Sequence, residues 1–336
     1  MSSNGLRRLL LPLVPLYAGV IRAKQSLLDR GVLKPGRLRH PVISVGSLSA
    51  GGAGKTPVVL MLAEQLAGAG YEVRILTRGY GRRSRTVQRV DPAGDAALFG
   101  DEPLLMARRL GPAASVWVGA DRYLAGRLSE RGDTDQTRAI YLLDDGFQHA
   151  KLARDLDVVL LTRQDLDDLL LPAGDLREPL SSMRRADVVV LREDEGFAGA
   201  ISGKTTWFIR RSLELSGDET MPARPVAFCG LARPQGFFAM VAARGVAVAA
   251  TSAFRDHHAY GARDIHGLLD LAKLHGADGF VTTEKDAVKL TGAMLDQLRS
   301  IGAVVVPALR VEMADGQAKV AQLIRQAEAK FSGKIS

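Results

Sequence analysis

A chain of 336 residues has room for two domains of ordinary size, and 46% apolar with 24% charged residues excludes a disordered polypeptide. A single cysteine, Cys229, excludes an internal disulfide and fits a reducing compartment. The net charge of +8 is placed unevenly: through Arg89 there are 15 Lys and Arg against three acids, Asp29, Glu64 and Glu72. A cationic first quarter points to an anionic partner, whether nucleic acid, an acidic membrane surface or a phosphorylated substrate.

Residues 9–21 (LLLPLVPLYAGVI) are uncharged and flanked by Arg7, Arg8, Arg22 and Lys24. As a helix they would reach about 20 Å, short of a hydrocarbon core of roughly 30 Å. Pro12 and Pro15 weaken a continuous helix further. No A-x-A-like cleavage site follows and basic residues close the run, which argues against a signal peptide. The segment reads as interfacial, with apolar residues in the acyl boundary and arginines at anionic headgroups. A helical hairpin buried on the protein's own core is the alternative.

From His40 onward, short β-branched runs alternate with helical patterns. Strands are expected at 41–45, 73–77, 116–118, 140–143, 157–162 and 187–191, with helices at 57–67, 103–110 and 123–128. Nearly continuous apolar strands spaced by helices indicate an α/β, doubly wound, mostly parallel sheet covered on both faces. The pattern breaks after Arg192. Residues 205–215 (TTWFIRRSLEL) read as an extended linker, and a second α/β set follows at 226–229, 246–251, 279–283 and 304–308. The expected organisation is a membrane-interface segment at 1–38, a P-loop domain at 39–203, a linker at 204–224 and a smaller α/β domain at 225–336 closing over the cleft. Ligands of such folds sit at the carboxyl ends of strands.

The strongest motif is there: Ser49, Ala50, Gly51, Gly52, Ala53, Gly54, Lys55 and Thr56 (SAGGAGKT) follow a strand and open a helix. Glycines let backbone N–H groups turn inward around phosphate, and the helix N-terminus adds favourable electrostatics. Lys55 can reach the β/γ-phosphates of a nucleotide and the Thr56 hydroxyl can ligate Mg²⁺. A strict Walker A loop has glycine where Ser49 stands. Asp144 and Asp145 end an apolar strand as Walker B acids do, and either could hold the metal.

Arg78 ends a strand in RGYG and begins a stretch of five arginines without an acid, a candidate phosphate clamp. In GDEP, Asp101 reads either as a helix N-cap or as an acid that accepts the proton of an attacking hydroxyl. The DHH run at 256–258 follows a second-domain strand, where a histidine could orient such a carboxylate or simply sit on the surface. No Cys/His spacing supports zinc. LPAGDLREP (171–179) and TTEKDAVK (282–289) place further polar residues where ligands bind. Nucleic-acid binding is not expected, because no helix–turn–helix, finger or aromatic-interleaved basic motif is present and aromatics make up 5% of the chain.

The order SAGGAGKTP, RGYGR, GDEP, LDDGFQH, LPAGDLREP, FRDHHAY and TEKDAVK resembles the tetraacyldisaccharide 4′-kinases, the lipid A kinases of Gram-negative bacteria. The resemblance implies Mg²⁺-ATP-dependent phosphorylation of the 4′-hydroxyl of a tetraacyl glucosamine disaccharide 1-phosphate at the cytoplasmic face of the inner membrane. It further implies Asp101 as the base-side carboxylate with His257 as its partner. Lys55 and Thr56 serve phosphate and Mg²⁺, with Asp144, Asp145 and Gln148 completing that environment, and Arg177 and Glu178 lie near the transfer site. A monomer docking on an anionic membrane surface is expected. Ser47 departs from the family's asparagine after the strand glycine. The competing reading is a membrane-docking NTPase switch of the ParA/MinD kind, whose loop carries an additional early lysine that 49–56 lacks.

Overall fold

The structure is a computed structural model that describes residue 7 and residues 9–134, 136–197, 199 and 201–334. Arg8 and the first six residues of the expected interface segment lie outside the described residues, as do the last two of the chain.

A 3-10 turn (Leu11–Leu13) leads into helix α1 (Val14–Asp29). The prolines do not break it, because Pro15 occupies the first turn, where an N–H would be unpaired anyway. No residue of α1 is buried; Leu16 is 70% and Val20 61% exposed. The buried-hairpin alternative is therefore not what forms. The helix rests on the body through polar contacts: Tyr17 Oη donates to the Arg177 carbonyl at 3.2 Å, Lys24 Nζ to the Gln148 carbonyl at 2.9 Å, and Arg185 Nη1 to Gln25 Oε1 at 3.0 Å. Among the described residues, no helix is long and apolar enough to cross a membrane.

The large sheet contains β1 (Val42–Ser47), β2 (Glu72–Thr77), β3 (Gln88–Arg89), β4 (Ala114–Val118), β5 (Ala139–Asp144), β6 (Leu156–Leu160), β7 (Val188–Arg192) and β8 (Thr205–Glu214). The small sheet is wholly parallel and contains β9 (Pro225–Cys229), β10 (Ala250–Ala253), β11 (Gly279–Val281) and β12 (Ala303–Val305) in the order β10-β9-β11-β12. A last strand, β13 (Ala308–Glu312), returns to the large sheet, whose order is β13-β8-β7-β6-β1-β5-β2-β4-β3. Only β3 and β13, at its two edges, run antiparallel to their neighbours. Every residue of β1, β5 and β6 is buried, as strands covered on both faces must be.

Three sequence expectations need correction. The segment expected as a linker is an internal strand: Trp207 and Ile209 alternate into the core while β8 pairs with β7 on one side and β13 on the other. The small domain does not extend to the chain end. Helix contacts of Val320, Leu323, Ile324 and Ala327, spaced as one apolar stripe on Gly316–Ser332, place that last helix in the core of the large sheet. Residues 246–249 are not strand, and β10 begins at Ala250; Val246 and Val248 pack instead as irregular chain against the core around Cys229. Burial pushes the Cys229 thiol up to about 12, so it is no nucleophile near neutral pH.

Candidate active site

Strand β1 lies between β5 and β6, with Val45 opposite Asp144, so the glycine loop and the paired aspartates leave adjacent strand ends. The two turns fit because position 46 is glycine: a Cβ there would come within 2.5 Å of Phe147 Cβ. The loop then passes through Gly51, Gly52 and Gly54 at φ of +76, +67 and +79°, a region only glycine enters at no steric cost. Helix α2 (Lys55–Gly68) starts with no side-chain cap and no acid in its first turn, which leaves its amide N–H groups to an anion. Thr56 sits in that first turn.

Lys55 Nζ donates to Ser47 Oγ at 3.3 Å and lies 3.3 Å from Asp145 Oδ1. Arg177 grips Asp145 with two prongs, Nη1 and Nη2 each donating at 2.7 Å, and donates again to the Ser49 carbonyl at 3.0 Å. Burial alone would raise the Asp145 carboxyl, but the Arg177 bonds and the Lys55 charge outweigh it and hold the group well below the usual carboxylate range. Asp144 is the opposite case. Burial, then the charges of Glu102 and Asp145, push it up to about 7 against a hydrogen bond from Thr77 Oγ1 at 2.9 Å. An anionic pocket of this kind fits a divalent cation, and Thr56, Asp144 and Asp145 are hard oxygen donors suited to Mg²⁺. Among the described residues no cluster of three or more His, Cys, Asp or Glu could hold a metal by itself.

The facing wall comes from the small domain and from α3 (Asp101–Leu110). Gly100, at φ +95°, takes the N-cap position without a side-chain cap, so Asp101 is the first helical residue rather than the cap. Its carboxylate lies 2.9 and 3.0 Å from His257 Nδ1, across the two domains. His257 itself stands at φ +58°. The Asp101 hydrogen bond raises the His257 pKa above the ordinary imidazole value. Burial opposes ionisation of Asp101, yet the His257 bond and the Lys285 charge lower its pKa. His258 turns away, 3.0 Å from Asp264 Oδ2 and stacked on Phe254. The walls meet at the loop: a Cβ on Gly52 would come 2.9 Å from Arg233 Cδ, and one on Gly51 3.6 Å from Ala232 Cβ.

Not every sequence candidate points at this space. The Ala50 N–H donates to the Asp175 carbonyl at 2.8 Å and the Ser49 carbonyl is taken by Arg177, so these positions tie the loop down. Gln148 Nε2 donates to the Ser47 carbonyl at 3.0 Å. Glu178 is bound to Arg185, which stacks on Phe147, and its carboxylate is thereby occupied. Arg78 is exposed, near enough to Arg122 to lower the latter's pKa after burial. Sequence reasoning passed over Arg122 and His149. His149 is pushed down to about 3 by burial and by Arg122 and Arg154, and its Nε2 is buried without a hydrogen-bond partner among the described residues. Glu102, Asp256 and Lys285 were also missed, although each adjoins a motif residue or lies within a motif.

A doubly wound sheet with a Walker A loop between its central strands defines a P-loop nucleotide-binding protein. The model of the tetraacyldisaccharide-1-P 4′-kinase family matches residues 6–328, and the chain belongs to that family. The tetraacyldisaccharide 4′-kinase of Koribacter versatilis is 39% identical over 320 residues, covering 94% of this chain and 97% of the relative. The Aquifex aeolicus enzyme of that name is 39% identical over 302 residues, 85% and 91% of the two chains. A crystal structure of LpxK from Aquifex aeolicus in complex with ATP aligns with a TM-score of 0.77 at 35% identity, covering 96% of this chain and 99% of that one.

Proposed function

We propose that this chain transfers the γ-phosphate of ATP to the 4′-hydroxyl of a tetraacyldisaccharide 1-phosphate, the lipid A precursor. Family membership over nearly the whole chain supports the reaction class. The observation that carries the site reading is the Asp101–His257 pair, 2.9 Å apart, on the wall that meets the Lys55 loop.

In this reading the loop amides and Lys55 hold the transferring phosphates, and Asp101 takes the proton of the acceptor hydroxyl while His257 fixes its carboxylate. Thr56 and Asp144 would hold Mg²⁺, Asp145 being already engaged by Arg177. Mg²⁺, when bound, supplies charge neutralisation on the β- and γ-phosphates. Arg78 and Arg122 give the site a cationic margin suited to an acceptor that already carries a phosphate. The exposed apolar face around Leu16 and Val20 supports docking on an anionic bilayer at the cytoplasmic face of the inner membrane.

The test is transfer of labelled γ-phosphate from Mg²⁺-ATP to tetraacyldisaccharide 1-phosphate in detergent micelles. Label is expected in a bis-phosphorylated lipid and is expected to vanish with Lys55→Ala. Label released only as free phosphate would instead mean a nucleotide-driven switch.

A further inference from the structure

We propose that Lys285 is a positioning residue for phosphoryl transfer: it ties Glu102 and Asp256, the chain neighbours of Asp101 and His257, into one ion cluster that keeps that pair in register across the two domains. The proposal rests on the reading of Asp101 as the group that takes the acceptor proton. Lys285 Nζ donates to Glu102 Oε1 at 2.8 Å and to Asp256 Oδ1 at 2.9 Å. Glu102 opens α3 of the large domain, and Asp256 lies in the loop after β10. The lysine therefore touches both arms of the pair without touching the pair itself. Its side chain is only 13% exposed. Burial opposes its charge, but Glu102, Asp101 and Asp256 keep the ammonium protonated far beyond the ordinary lysine range.

The platform under it is stiff. Lys285 belongs to a one-turn helix of the small domain, Glu284–Ala287, whose Asp286 is fully buried. Asp286 accepts from the Gly230 N–H and from Tyr260 Oη, each at 3.0 Å, and lies 2.8 Å from Lys289 Nζ. The same turn holds α3 a second time, because Glu284 Oε2 accepts from Arg109 Nη1 at 2.8 Å near the far end of that helix. The Glu284–Arg109 contact joins the domains away from the pair and so serves as a control for docking alone.

The electrostatic consequence has a definite sign. Asp101 is faced by His257, Lys285 and Lys289 and adjoins Glu102; His257 is faced by Asp101, Asp256, Lys285 and the Tyr80 ring, centroids 5.1 Å apart. The Lys285 charge lowers the pKa of both members. Its removal raises both, and the acidic limb of the rate profile moves to higher pH.

The experiment compares kcat and the KM for ATP against pH in micelles for Lys285→Met, Lys285→Arg, Glu284→Gln and Asp101→Ala. Lys285→Met is expected to lower kcat by roughly 10–100-fold with little change in KM, and to move the acidic limb up by about one pH unit. Lys285→Arg should restore most of the rate, and Glu284→Gln should leave the limb in place. If Lys285→Met fails to fold, Lys285→Gln removes the same charge with a polar side chain and is read in the same way. An unmoved limb, with Lys285→Met behaving like Glu284→Gln, overturns the proposal. Asp101→Ala with undiminished kcat overturns the proton-acceptor reading instead.

Discussion

Asp145 and His257 both stand at positive φ, +50 and +58°, where a non-glycine residue costs of order 1–3 kcal/mol. Each is held there by ion pairs: Asp145 by Arg177 and Lys55, His257 by Asp101. Strain at two such positions places the side chains where an ordinary turn would not, one beside the phosphate loop and one opposite it. Asp101→Ala is expected to lower turnover by roughly 10²–10⁴-fold if the carboxylate removes the acceptor proton. ATP affinity, measured separately by calorimetry, should stay within a few-fold. A loss confined to the thermal midpoint would make Asp101 a helix-start residue and nothing more.

At the scale of elements, the amino ends of the strands carry stability and the carboxyl ends carry the site. Arg74 on β2 donates to Asp133 at 2.6 and 2.9 Å and to Tyr141 Oη at 3.2 Å, all from a nearly inaccessible side chain. The Arg74 bonds, against burial, hold Asp133 below the usual carboxylate range. A carboxyl lowered in the folded state stabilises above its unfolded pKa of about 4 and loses that contribution as pH falls through the folded value. Asp133→Asn should therefore cost about 1–3 kcal/mol near neutral pH, because it removes the two-pronged partner of Arg74 and leaves Glu72, at 2.8 Å, to balance that charge. Urea titrations from pH 7 down to 3 check this, since the difference between variant and parent should shrink in acid. A constant difference across that range would rule out the charge pair as its source. The β1–loop–α2 unit was legible from its letters because glycine spacing, strand and helix start are all local. The role of β8 was not, since an alternating strand reads alike whether it pairs on both edges or links two domains.

At the scale of the molecule, α1 lies against the same loops that hold the site. Tyr17 and Lys24 reach the carbonyls of Arg177 and Gln148, so the helix proposed to dock on the bilayer touches the loops of the site. Deleting the first 22 residues would consequently disturb both. The cleaner variant is Leu16→Ser with Val20→Ser, on the exposed face. It should weaken binding to vesicles containing anionic lipid by several-fold and leave ATP binding unchanged. Equal partitioning of variant and parent in a flotation assay would remove α1 as the docking element. The domains are joined by more than the crossing chain: Arg109–Glu284, Lys285–Glu102 and His257–Asp101 all span them.

The sequence by itself determined the parallel sheet, the phosphate loop, the paired acids at the end of β5 and the family, because each depends on residues close together in the chain. Asp101 and His257 were both legible as candidates, but their 2.9 Å contact bridges 156 positions and only the tertiary structure could bring it about. The same holds for Lys285, whose surroundings in TEKDAVK do not disclose that its partners are Glu102 and Asp256. The return of β13 and the last helix to the large sheet was likewise decided by packing. Their apolar stripe needs a core to cover, and local pattern does not say which of two cores that will be.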